Sequence, residues 1–449
     1  MRIVHIAWMA AILSGCSVGV EMAEPQIDLP DRYSLVAPIT APATADIEWW
    51  RNFNDPVLDR LVARALSDSL TITQAAARLS EAEAIARRDG ISVTGQGEVE
   101  ASSTTGGTEQ RQIGLAARIG LDNKWRKRAA QQRLEAELVN ETEARRAVLA
   151  ELSRAYLELR YYQRLHQTRE EDLRSRRVTL REVKEQLDAG AATQLDVVRA
   201  EALVVETRSQ TPGIAANIIR QRNRISTLLG APVGMLDINL DYAGLQPTPK
   251  RVADLGVPAD LLRARGDIRR AELLYAAAVS SIGVAEAARY PSLSLSGLIT
   301  APLKGGSASE SISAGLSVPV FNQPALAASA EAAHHSAQGA YIQWQRAVLT
   351  AIEEVENAMA ALQSALRTTK ETRELVALNT EALKLSRELL ESGGPITVLD
   401  VLDRERALSD ARAQHARSLR DQAVEYVNLR VALGEGHAVS RATEAPAEN

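Results

Sequence analysis

Leu187-Asp188-Ala189-Gly190-Ala191-Ala192-Thr193-Gln194-Leu195-Asp196-Val197 closes one long helical run and opens the next. The same order of signals recurs as Leu390-Glu391-Ser392-Gly393 followed by Thr397-Val398-Leu399-Asp400-Val401, with one extra residue between the two parts. Arg146-Ala147-Val148-Leu149 likewise recurs as Arg346-Ala347-Val348-Leu349. Short matches that keep their order and a spacing of roughly 200 residues indicate a duplicated unit. Upstream of each turn the chain is helical for far longer than a globular helix. No Pro or Gly interrupts 123–187, and only Gly339 interrupts 325–390. At 1.5 Å per residue such runs reach on the order of 100 Å. Val348, Ile352, Val355, Met359, Leu362 and Leu366 step by fours and threes, a heptad seam. Leu375, Leu378, Ala382, Leu385 and Leu389 continue it after a phase break. Gly190 and Gly393-Gly394 are therefore read as the tips of long antiparallel helical hairpins.

Ahead of each long helix the period changes from helical to two. Val93, Gly95, Gly97, Val99 and Ala101 alternate with polar residues, Gly106-Gly107 makes a turn, and Ile113, Leu115, Ala117, Ile119 and Leu121 resume the alternation. In the second half Leu293, Leu295, Gly297 and Ile299 lead to Gly305-Gly306 and on to Ile312, Ala314, Leu316, Val318 and Val320. Alternation around a Gly-Gly turn predicts a β-hairpin in each half, over about 91–121 and 290–320. These strands have the length and two-faced pattern of strands with lipid outside and water inside, although a soluble sheet has the same period. The fold class is thus mainly α with a β part. The expected division is 1–15 signal peptide, 16–48 linker, 49–229 first repeat, 230–258 Pro- and Gly-richer linker, 259–436 second repeat and 437–449 tail.

Composition narrows the function. Aromatics are 4% with only two Phe, so an aromatic-anchored globular core is not expected. The net charge of −5 and the absence of a sustained basic run leave no nucleic-acid footprint. The single Cys excludes an internal disulfide framework. Arg2 and the apolar 3–13 read as a signal peptide, too short to span a bilayer, and Leu13-Ser14-Gly15-Cys16 resembles a bacterial lipobox with Cys16 as the lipidated residue. By the same resemblance Ser17, rather than Asp, at the next position favours the outer membrane. No later apolar stretch is long enough for a transmembrane helix. Gly-x-Ser-x-Gly, P-loop and His-Glu-x-x-His motifs are missing, so no enzyme and no cofactor is expected.

Trp49-Trp50-Arg51-Asn52-Phe53-Asn54-Asp55-Pro56, Leu262-Arg263-Ala264-Arg265-Gly266-Asp267 with Ala271-Glu272, Ser281-Ile282-Gly283-Val284-Ala285, Val318-Pro319-Val320-Phe321, Glu354-Val355-Glu356-Asn357-Ala358 and Leu399-Asp400-Val401-Leu402-Asp403 stand in that order. In this the chain resembles the outer-membrane factor family of TolC-like efflux channels, and within it the lipoprotein branch. It departs from the family pattern at Gly266, at Asn322-Gln323-Pro324 and at Asp89-Gly90.

The resemblance implies a homotrimer forming a 12-stranded barrel and an α-helical tunnel, set in outer-membrane lipid and extending into the periplasm. It also implies a periplasmic adaptor (membrane fusion) protein and an inner-membrane RND or ABC pump as partners, with the channel a passive exit duct for small molecules. A lipid-anchored periplasmic coiled-coil scaffold and a channel for secreted polypeptides are the alternatives. By the same resemblance Asp400 and Asp403, with Asp196 as the first-half counterpart of Asp400, are periplasmic gate candidates. The residues also allow a plainer role: Thr397 with Asp400, and Thr193 with Asp196, have the spacing of helix capping boxes, whereas Asp403 lies a turn further in. Arg265-Gly266-Asp267 falls at a helix start rather than in an adhesion loop. Adjacent His334 and His335 diverge on a helix and make a poor metal pair.

Overall fold

The computed structural model describes residues 27–30, 33, 48–90, 93–103, 109–120, 124–241, 245–250, 265–302, 307 and 309–436. Cys16, the segment 1–15, the turns Gly106-Gly107 and Gly305-Gly306 and the tail 437–449 lie outside the described residues. A 3-10 turn at Trp49–Phe53 precedes α1 (Pro56–Asp68) and α2 (Leu70–Gly90). There follow β1 (Val93–Ser103), β2 (Glu109–Gly120), α3 (Lys124–Asp188), α4 (Gln194–Leu228), α5 (Gly266–Ala287), β3 (Ser292–Pro302), β4 (Ser309–Ser317), α6 (Gln323–Glu391) and α7 (Val398–Ala432). Among the described residues no helix is long and apolar enough to cross a membrane. The chain clusters into two units: one holds Ala76–Glu141 and Gly266–Leu349, the other the described parts of 29–75, Thr142–Arg265 and 350–436.

The first unit carries all four strands, in one antiparallel sheet of order β1-β2-β3-β4. Its register sorts the residues by face. Val93, Ile119, Leu295 and Ala314 form one row, Gly95, Ala117, Gly297 and Ile312 the next, and Leu293 pairs with Leu316. On the other face Thr94, Arg118, Ser296 and Ser313 form a row, as do Glu98, Gly114, Thr300 and Ser309. One face is therefore made mainly of apolar and glycine positions, apart from Glu310 opposite Ile299 and, at the far end of β1 and β2, Ser103, Glu109 and Arg111, and the other is mostly polar. Beside the sheet, Tyr275, Val279 and Ile282 of α5 pack with Ala337 of α6, and Tyr341 lies 5.5 Å from Tyr275 between ring centres. Trp125, at the start of α3, closes over Gly283 of α5.

In the second unit Asp55 caps α1, its Oδ1 accepting from Val57 N at 2.8 Å and Leu58 N at 3.3 Å. Pro56, which has no N–H to lose, opens the helix. The seam of α6 corrects the sequence reading. Val348, Val355, Met359 and Leu362 are buried as expected, but the predicted continuation is not: Leu375, Leu378, Leu385 and Leu389 are exposed. The buried seam in this unit instead runs Ala351, Val355, Ala358, Leu362, Ala365 and Thr369, and on through half-buried Thr372 and Val376 to Leu383 and Ser386. It keeps the heptad step without a phase break. Small residues at alternate steps let helices approach closely, which a count of leucines does not reveal. The linker after α4 packs as well. The backbone carbonyl of Leu240 accepts from Gln163 Nε2 at 2.5 Å, and Gln246 Nε2 donates to Ala416 O at 2.8 Å. The returning helix α4 continues through Pro212, whose ring removes a helical N–H.

Candidate functional site

The predicted tips are built twice from the same hydrogen bonds. At the end of α3, Gly190 has φ +76° and its N–H donates to Leu187 O at 2.9 Å, while Ala191 N donates to Gln186 O at 2.8 Å. At the end of α6, Gly393 has φ +72° and donates to Leu390 O at 3.2 Å, while Gly394 N donates to Leu389 O at 2.8 Å. Both are helix stops that require left-handed backbone at one residue, and glycine adopts it without a Cβ penalty. Gly394 does not share that conformation; a Cβ there would meet Leu389 O at 3.0 Å.

The returning helices are then capped in the same way. Thr193 N–H and its hydroxyl donate to Asp196 Oδ2 at 2.9 and 2.6 Å. Thr397 N–H and its hydroxyl donate to Asp400 Oδ2 at 2.8 and 2.7 Å. The threonine hydroxyl and then the backbone N–H hold both carboxyls below the usual Asp value. Asp196 and Asp400 are thus occupied in caps. Asp403 is exposed on α7, and no described residue forms a hydrogen bond or ion pair with it.

Behind the tips Val183 of α3, Val197, Ala200 and Leu203 of α4, and Val398 and Leu402 of α7 form one cluster, and Leu383, Val401 and Leu408 form another. A cavity of about 370 Å³ lies here among α3, α6 and α7, lined by residues that include Thr179, Val183, Arg387, Leu390 and Val401. Two buried polar nodes follow along the helices. Glu405 is 5% exposed, and its Oε1 accepts from Arg387 at 2.6 Å, Thr179 at 2.8 Å and Ser175 at 3.2 Å. Asp172 Oδ2 accepts from Ser409 at 2.6 Å and Arg169 at 3.1 Å, with Arg412 3.7 Å from Oδ1. The sequence reading missed these nodes, because Glu, Arg and Ser on a helix read as solvated surface. It also missed Tyr156, whose hydroxyl donates to Asp55 Oδ2 at 2.6 Å and accepts from Arg160 at 2.9 Å. Tyr426 with Arg430 repeats that i,i+4 arrangement at 3.0 Å, and the repeated Tyr-Arg spacing was the available signal.

Other readings resolve simply. Arg265 is buried, donating to Ala432 O at 3.0 Å and pairing with Glu354 at 2.7 Å, so it is not presented for adhesion. His334 and His335 lie nearest to different carboxylates, Glu286 and Glu331, each at 3.9 Å. Among the described residues no group of His, Cys, Asp or Glu is placed to hold a metal ion.

The described elements are thus long helical hairpins and one four-stranded antiparallel sheet. The sequence matches the family described as "Outer membrane efflux protein" over residues 61–231 and 257–435, and the chain belongs to that family. It is an efflux channel protein of the outer membrane, of a class that performs no catalysis. It is 33% identical over 451 residues to nodulation protein T of Rhizobium leguminosarum bv. trifolii, covering 96% of each chain. It is 26% identical to the toluene efflux pump outer membrane protein TtgF of Pseudomonas putida, covering 95% of each. Among solved structures, the outer-membrane channel OprN superposes with a TM-score of 0.84 at 25% identity, over 94% of this chain and 99% of that one.

Proposed function

We propose that three copies of this chain form a closed duct, lipid-anchored at Cys16, which passes small molecules handed to it by a periplasmic adaptor and an inner-membrane pump. The observation that carries the reading is the two-faced sheet with open edges. Its apolar face suits lipid and its polar face suits a water-filled lumen. Four strands are too few to close a barrel, which takes at least about eight, and an open edge is not tolerated in lipid. Other copies must therefore complete it, and three copies supply the twelve strands that the family resemblance implies. The helices support the same conclusion. Leu375, Leu378, Leu385 and Leu389 on α6 stand exposed at heptad steps, as do Leu195, Val198 and Val205 on α4. Two different apolar stripes on one chain suit a head-to-tail ring. The name of the toluene efflux relative supports pump partners and small-molecule cargo.

The tips at Gly190 and Gly393 would form the periplasmic mouth, with Asp403 facing the pore. A ring of like carboxylates attracts and binds cations. Single-channel recording in planar bilayers tests this. The wild-type protein should conduct with cation preference and be blocked by a trivalent cation added on the tip side. Asp403→Ala should lose most of that block and keep its assembly. Unchanged block removes Asp403 from the constriction, and absence of conductance from well-assembled protein would favour a scaffold without a pore.

A further inference from the structure

Strand register places four chain crossings at one end of the sheet: the start of β1, the end of β2, the start of β3 and the end of β4. The chain next to these crossings has an unusual composition. α2 ends in Arg87-Arg88, and α3 begins Lys124-Trp125-Arg126-Lys127-Arg128. Arg88 is paired with Asp89 at 2.9 Å. Among the described residues no carboxylate lies within ion-pair distance of Arg87, Lys124, Arg126, Lys127 or Arg128, and all five are exposed. Trp125 is buried between them, with Lys124 Nζ 5.2 Å and Arg128 Cζ 5.9 Å from its ring. At the same end of the sheet Tyr290, Val318 and Val320 are exposed, and Phe321 is 99% exposed.

These cations do not serve the helix. The first turn of a helix carries the positive end of its dipole, so four cations in the first five residues of α3 oppose it. Among the described residues they are not matched by acidic groups of the same unit either. Basic side chains beside exposed aromatic and aliphatic ones match the boundary of a membrane, where headgroup phosphates meet acyl chains.

We infer that Lys124, Arg126, Lys127 and Arg128, with Arg87, form a docking surface for anionic phospholipid headgroups of the leaflet on the helical side of the sheet. Tyr290, Val320 and Phe321 sit against the acyl chains beneath. The inference rests on the membrane reading of the sheet given above. It adds a headgroup preference at the strand-to-helix junctions.

The test uses the full-length protein, purified in detergent and exposed to vesicles of phosphatidylethanolamine alone or mixed with phosphatidylglycerol. Native mass spectrometry counts the lipids each oligomer retains, and planar bilayers of phosphatidylethanolamine alone or mixed with phosphatidylglycerol report conductance. The wild type should retain phosphatidylglycerol over phosphatidylethanolamine by roughly tenfold or more, with the preference falling as salt is raised. The triple variant Arg126→Gln, Lys127→Gln, Arg128→Gln should lose the preference and still conduct. Arg126→Lys with Arg128→Lys should keep it, as should a control that removes Arg367, Lys370 and Arg373 from the exposed face of α6. A conducting wild type with no headgroup preference, or a triple variant that keeps it, overturns the assignment and leaves the channel reading standing. A wild type that conducts in neither lipid overturns the channel reading, and this inference with it.

Discussion

Gly283 has room for a hydrogen and nothing larger: a Cβ there would lie 2.4 Å from Cδ2 of Trp125. Gly339, on α6 of the same unit, faces open space. Gly283→Ala should therefore cost about 1–3 kcal/mol through overpacking. Gly339→Ala should gain up to about 1 kcal/mol through helix propensity. Chemical denaturation of the purified protein reads both, and a neutral Gly283→Ala would mean that Trp125 moves aside freely. The capping aspartates make a second prediction. Asp196 and Asp400 titrate below their ordinary value because threonine donors hold the ionised form. Their contribution is fully present above the unfolded pKa of 3.8 and is lost as pH falls through the lower folded value. Amide protection over 193–197 and 397–401, corrected for intrinsic exchange, should hold unchanged at higher pH and fall only below about pH 4. Loss of protection near neutral pH would show that the caps are not the controlling groups. Asp196→Ala should weaken its own tip alone, and Asp403→Ala should leave both profiles unchanged. The caps and glycine stops were legible in the sequence because their physics is local, spanning residues three to five apart. The Gly283–Trp125 contact was not, since it joins helices that only the fold brings together.

At the scale of elements, helix existence and length followed from periodicity and the lack of breakers, and α3 and α6 begin and end within two residues of the expected bounds. Which stripe of α6 is buried did not follow. Leu375 to Leu389 and the alanine-bearing seam both keep a heptad step, and only the packing partner separates them. The polar nodes were hidden for a related reason, since a carboxylate between helices is spelled like one in water. Arg387 and Glu405 tie α6 to α7, with Thr179 and Ser175 of α3 sharing the carboxylate. Arg387 is 43% exposed while Glu405 is buried, so the two partners should not be equivalent. Arg387→Ala leaves a buried carboxylate without its cation and should cost about 1–3 kcal/mol, moderated by that exposure. The paired change Arg387→Met with Glu405→Leu should recover most of the loss, because two apolar side chains remove the desolvation cost together. Thermal unfolding followed by helix content checks the cycle. A double variant as unstable as Arg387→Ala would mean that the node contributes through geometry rather than charge.

At the scale of the whole molecule, the proposed assembly turns on what one chain leaves uncovered among its described residues. Its sheet has free edges at β1 and β4, and its helices carry exposed apolar stripes. The alternation that gave the strands was visible in the sequence; the rows that make one face apolar across both halves needed the pairing of β2 with β3. That pairing gives a paired experiment. Leu316 lies opposite Leu293 on the apolar face and is 67% exposed, while Ser313 lies in the polar row with Arg118. If the apolar face meets lipid, Leu316→Arg should cost roughly 2–4 kcal/mol per subunit at mid-bilayer depth, less nearer the boundary. If other copies close the barrel as proposed, that penalty multiplies with each subunit and should appear as failed membrane assembly rather than as a lower helix content. Ile119→Arg, on the same face in the row of Leu295, should behave alike. Ser313→Arg should assemble, since the polar face already accommodates Arg118, and should change only conductance or ion preference. Membrane fractionation with crosslinking of the assembled oligomer reads the first pair, and single-channel recording reads the last. If Leu316→Arg assembles and Ser313→Arg does not, the lipid and lumen faces are exchanged. If all three assemble with unchanged conductance, the sheet does not lie in the membrane, and the exposed stripes of α4 and α6 would have to account for assembly alone.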